Sequence, residues 1–142
     1  MASGFSVKEH IPANPEQVWA YLTDFDNAQK WMPGIDRMAL PVGQILETGS
    51  VLTFNARGKD RETRVTALEK GKRLALTSKQ GGVTATYEYL LAPVPDGAEI
   101  TLNARCKATG FWKLLHPVIV IAMKKADSPQ LVNLKALIER SE

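Results

Sequence analysis

Cysteine occurs once in the 142-residue chain, as Cys106, which excludes an internal disulfide and any multi-cysteine metal site. Histidine is nearly as scarce: His10 and His116 are the only two, and neither has a second histidine or an acid at ligand spacing. No metal ion is therefore expected. A glycine-rich phosphate loop is also missing, because Gly81-Gly82 falls between two strand-like runs and opens no helix. No motif implies a cofactor. The longest apolar passage, LLHPVIVIAM at 114–123, falls well short of the roughly 20 residues of a spanning helix, so no integral membrane segment is expected. Charge of either sign is in small excess at most: Lys and Arg number 18 against 15 Asp and Glu, and the basic residues are mixed with acids, as in KDRETR at 59–64. A nucleic-acid partner is not implied. The opening MASGFSVKEH has no charged n-region, no apolar h-region and Ala rather than Gly at position 2. With the lone cysteine, this points to the cytoplasm.

What is present is enough for one core. At 44% apolar content, 142 residues predict a single domain spanning 1–142. Phe5, Val7, Glu9 and Ile11 alternate with Ser6, Lys8 and His10, a period of two that predicts a strand over 4–11, with Glu9 the imperfect member. Asn14 can cap a helix through the backbone N–H of Gln17, with Pro15 at the first helical position. Val18, Leu22 and Phe25 share one side of that helix, flanked by Trp19 and Tyr21. A second short helix is predicted over 26–31, stopped by Pro33-Gly34.

Between Ser50 and Thr109 apolar residues alternate, and turn signals recur at Gly58, Gly71, Gly81-Gly82 and Pro95-Asp96-Gly97. Five antiparallel strands in a meander are predicted. The fourth puts Tyr87, Tyr89 and Leu91 on one face; the fifth puts Ile100, Leu102, Ala104 and Cys106 inward, where Cys106 reads as a small core residue. In the C-terminal segment Phe111, Leu115, Val118 and Ala122 form one helical stripe, yet Leu131, Leu134 and Ile138 lie nearly half a turn away. A break at Pro129 reconciles them, with Asp127 and Ser128 as candidate caps, and Pro117 marks the start of regular helix. The segment PVGQILETG at 41–49 stays unassigned.

Several short passages carry a family resemblance: Ile11-Pro12-Ala13, Pro15-Glu16-Gln17-Val18-Trp19, Asp24, and Trp31-Met32-Pro33-Gly34. Further on come Tyr87-Glu88-Tyr89, Pro93 before Asp96-Gly97, and Leu134-Lys135-Ala136-Leu137-Ile138-Glu139. Across essentially its whole length the chain resembles the START-like, Bet v 1-like (SRPBCC) superfamily of polyketide cyclase/dehydrase and lipid-transport proteins. The resemblance implies an α+β helix-grip fold: a curved antiparallel sheet of six or seven strands wrapped around a long C-terminal helix, with two short helices after the first strand. It also implies a hydrophobic small-molecule ligand held between sheet and helix.

The expected lining residues are Trp31, Phe54, Tyr87, Tyr89, Leu102, Leu115, Val118 and Ala122, with the tyrosines fixing a ligand's orientation through their hydroxyls. No catalytic residue is assigned. An aromatase/cyclase, the alternative reading, calls for a tyrosine and a cavity arginine. Arg105 has outward parity, and Arg57, Arg61 and Arg64 surround the first hairpin, where exposure is the default. Arg64 turns inward under the opposite register, since Val65 and Leu68 cannot both point in. A third alternative is a protein-interaction module with a collapsed cavity. The apolar character of 118–123 all around the helix could serve a homodimer contact or a transient membrane encounter.

Overall fold

A computed structural model describes residues 2–140 other than Val42 and Arg57. The expectation for Arg57 lies outside the described residues. Alternation and glycine turns build seven strands: β1 (Ala2–Ile11), β2 (Ile35–Ala39), β3 (Val51–Ala56), β4 (Lys59–Glu69), β5 (Arg73–Gln80), β6 (Val83–Val94) and β7 (Gly97–Ala108). They form one curved open sheet in the order β1-β7-β6-β5-β4-β3-β2, every neighbouring pair antiparallel. The two short helices, α1 (Pro15–Thr23) and α2 (Ala28–Trp31), follow β1 with a single 3-10 turn between them. Asn14 caps α1 as its sequence requires, its Oδ1 accepting from the Gln17 N–H at 2.8 Å. Val18, Leu22 and Phe25 are buried.

The register question at Arg64 is resolved by a bulge. Val65 pairs with Leu76 and Ala67 with Ala75, so Thr66 is an extra residue on β4 and the strand's parity reverses there. Val65 and Leu68 both turn to the core, and Arg64 stays exposed. N-terminal to the bulge, Arg61 and Thr63 share the inward parity of Val65. The described residues of 41–49 form neither helix nor strand; Ser50 and Gly49 pin their end to β4 through backbone bonds with Val65.

The C-terminal helical element is broken where Pro129 lacks an N–H, giving α3 (His116–Asp127) and α4 (Gln130–Arg140) after a 3-10 turn at Gly110–Leu115. In α4, Leu131, Leu134, Leu137 and Ile138 are buried on the sheet. Each of the fully enclosed ones, Leu131, Leu134 and Ile138, contributes about 1.5–3 kcal/mol. Lys135 reaches Glu9 at 3.4 Å, which explains a carboxylate at an inward position of β1. The phase of α3 corrects the expected one. Met123 is buried, with Ile119 and Val120 partly so, while Leu115, Val118 and Ala122 face solvent. The helix is apolar on nearly every side, so periodicity could not select the buried stripe; His116 does, by bonding the Cys106 carbonyl at 2.9 Å and fixing the rotation of the first turn.

Candidate functional site

The inner face of β3 to β6 and the α3–α4 junction enclose an open pocket of about 290 Å³. Its sheet wall carries Phe54, Leu76, Ala85, Tyr87 and Tyr89, together with Arg61, Thr63, Ser78 and Gln80; Met32 to Ile35 and Met38 form a second side. The helical side is Ala126, Asp127 and Gln130, the residues on either side of the break at Pro129.

Those helical residues close a hydrogen-bonded chain with the two tyrosines. Tyr87 Oη donates to Asp127 Oδ2 at 2.5 Å, and Tyr89 Oη donates to Gln130 Oε1 at 2.5 Å. Gln130 Nε2 in turn donates to Asp127 Oδ1 at 3.3 Å. Both phenols are pushed up well beyond the ordinary tyrosine range, first by burial and then by the Asp127 charge. Their protons are thus committed to protein acceptors. What this end of the pocket offers a ligand is lone pairs, on two phenol oxygens and a carboxylate, which suit a hydroxyl or phenol rather than a carbonyl. The opposite end offers donors: Arg61, whose guanidinium holds Gln80 Oε1 and has no acidic partner within salt-bridge distance among the described residues.

The raised phenols have a consequence for stability. An unfolded tyrosine titrates near pH 10 and would lose its proton before the folded one does. The stabilisation is complete below about pH 10 and falls as pH rises beyond it. Tyr87→Phe should flatten that alkaline decline, read as the urea midpoint against pH; equal slopes in both proteins would show that Tyr87 is not the responsible group.

Of the residues expected to line a ligand site, Phe54, Tyr87 and Tyr89 border the pocket. Leu102 is fully buried beside Tyr89 on the neighbouring strand and does not reach the pocket. Trp31 stands behind the wall, edge-on to Tyr89 at 5.9 Å between ring centres, its buried indole N–H without a partner among the described residues. Leu115, Val118 and Ala122 are on the outer side of the helix, for the reason of phase given above. Sequence reasoning missed three groups. Asp127 read as a cap at a helix break, although it lies four residues beyond the buried Met123 and so on its stripe, and Gln130 drew no reading. Arg61 read as a hairpin residue, although its parity with Val65 was visible. Cys106 is buried in the core, and burial pushes its thiol up, so it is no ready nucleophile. Among the described residues no cluster of three or more His, Cys, Asp or Glu side chains is placed to hold a metal, and no helix is long and apolar enough to cross a membrane.

Solved structures with this architecture are numerous and distant in sequence. Protein MLL2253 of Mesorhizobium loti superposes with a TM-score of 0.76 at 17% identity, over 100% of this chain and 99% of its own. The di-domain ARO/CYC StfQ of the steffimycin biosynthetic pathway gives 0.72 at 13% identity over 99% of this chain and 52% of its own. Ara h 8.0201 gives 0.69 at 14% identity over 99% of each. Among curated proteins none matches the chain. At these identities the superpositions establish the helix-grip fold, shared with Bet v 1-like proteins, and no more. The sequence itself goes further, since the family model for polyketide cyclase/dehydrase and lipid transport matches residues 4–139. The chain therefore belongs to the polyketide cyclase/dehydrase and lipid transport family.

Proposed function

We propose that the protein binds a small hydroxylated aromatic or polyketide-like molecule in the pocket above α3 and α4. The observation that carries this reading is the chain Tyr87–Asp127–Gln130–Tyr89, which sets acceptors at one end of a largely apolar hollow, with Arg61 at the other. At about 290 Å³ the pocket sits at the lower limit of small-molecule sites, roughly 300–1,000 Å³, which favours a compact ring system over a long-chain lipid. Apolar burial supplies affinity and the polar ends supply orientation. Calorimetry with naphthol and naphthalene tests the reading. Naphthol should bind about tenfold more tightly, the scale of one hydrogen bond to a charged group, and Asp127→Asn should erase the difference. Equal affinities in the wild-type protein would remove the polar end from recognition.

A second reading is acid–base chemistry of the cyclase/dehydrase kind, and the Tyr87–Asp127 pair favours it. A carboxylate held by a phenol beside an apolar hollow can take a proton from a carbon next to a ligand carbonyl. The assay is deuterium exchange at the benzylic methylene of β-tetralone in heavy water. Acceleration by the wild type and none by Asp127→Asn is the expected outcome; background exchange with both would leave binding alone.

A further inference from the structure

The outer side of α3 and the 3-10 turn before it expose a continuous apolar strip that the pocket does not use. Phe111 is 68% exposed, Leu114 78%, Val118 64% and Ile121 69%. Val118 and Ile121 share one side of α3 and Lys125 continues the same line seven residues after Val118, while Leu114 is exposed in the 3-10 turn just before the helix. Solitary exposed apolar residues need no explanation, but a run along three turns does.

The charges around the strip are of one sign. Residues 108–126 contain no Asp or Glu, while Lys113, Lys124 and Lys125 all lie within them. All three are exposed, and the next acid, Asp127, is turned inward to Tyr87. Trp112 fastens the turn to the β5–β6 hairpin: a Cβ at Gly82 would come within 2.5 Å of Trp112 Cδ1, so the glycine makes room for the indole.

We propose that this strip docks the protein on an anionic lipid surface, with Phe111, Leu114, Val118 and Ile121 entering the interface and the lysines meeting the headgroups. An apolar stripe rimmed by lysine is the pattern of an interfacial helix, and a tryptophan and a phenylalanine at one end suit the headgroup boundary. A second copy of the chain fits less well. Pairing the strip with itself would bring Lys113, Lys124 and Lys125 of both copies together, and the strip carries no acid to offset them. The proposal does not depend on what the pocket holds, although α3 walls the pocket through Ala126 and Asp127 and so joins the two surfaces.

Flotation with vesicles of phosphatidylcholine, alone or with an equal part of phosphatidylserine, tests it on the full chain. The protein should float with the anionic vesicles and remain behind with the neutral ones. Each lysine near the surface is worth roughly a fivefold factor, so Lys124→Gln with Lys125→Gln should weaken association at least about tenfold. Leu114→Glu with Ile121→Glu should abolish it. All four side chains are exposed, so naphthol affinity and the thermal midpoint serve as controls and should not move. Equal flotation with both vesicles, no flotation of the wild type, or flotation that survives the glutamate substitutions would each overturn the proposal. So would a dimer in gel filtration that the glutamate substitutions dissociate, since that would assign the strip to a second copy.

Discussion

Replacing Ala85 with Trp should lower naphthol affinity at least about tenfold and leave the thermal midpoint nearly unchanged. Ala85 lies in the middle of the sheet wall, opposite Ser78 on β5 and Cys106 on β7, and its side chain borders the pocket between the Arg61 and Tyr87 ends. An indole there would occupy much of a hollow of about 290 Å³ and would separate the donor end from the acceptor end. Tenfold corresponds to about 1.4 kcal/mol, a modest demand for excluding a ligand from its site. Overpacking is destabilising only where the enlarged side chain meets filled space, and the pocket is open. Undiminished naphthol binding to the Trp variant would show that the ligand sits elsewhere, whatever the behaviour of Asp127→Asn.

The largest effect on stability is expected in α4. Leu134 is fully buried, and Leu134→Ala should cost about 2–5 kcal/mol through lost transfer energy and the cavity left behind. For a chain of this length that is a fall in melting temperature on the order of 10 °C. Val118→Ala removes an apolar side chain from the neighbouring helix, yet Val118 is 64% exposed and the change should stay within about 0.5 kcal/mol. Calorimetric melting of the pair checks the helical phase directly. A Val118→Ala protein as destabilised as Leu134→Ala would mean that α3 packs through the stripe the sequence suggested.

That contrast shows how far the sequence was legible. The five strands from Val51 to Ala108 were readable because glycine turns punctuate an alternating pattern, and the sides of β6 and β7 follow from parity alone. β2 was not readable: only Met38 in IDRMA is buried, and Arg37 sits at φ 51° where the pairing with β3 shifts register. On β4 a strict period of two could not accommodate both Val65 and Leu68, and the conflict was the trace of the bulge at Thr66. The break at Pro129 was legible from the phase of Leu131, Leu134 and Ile138, whereas the buried side of α3 was not, because isoleucine and valine occupy both sides. The site inherits these limits. Tyr87 and Tyr89 follow from strand parity, but their partners Asp127 and Gln130 sit where two helices meet, and the packing of both helices on the sheet brings them into place.

The interruption at Pro129 divides the C-terminal element into unequal parts. α4 is anchored by Gln130, Leu131, Leu134, Leu137 and Ile138, whereas Met123 is the one buried residue of α3. Local opening draws on such weakly buried elements, and its free energy lies below that of global unfolding. α3 should therefore be able to lift as a flap while α4 keeps the core closed, carrying Asp127 away from Tyr87 and widening the route into the hollow each time it does.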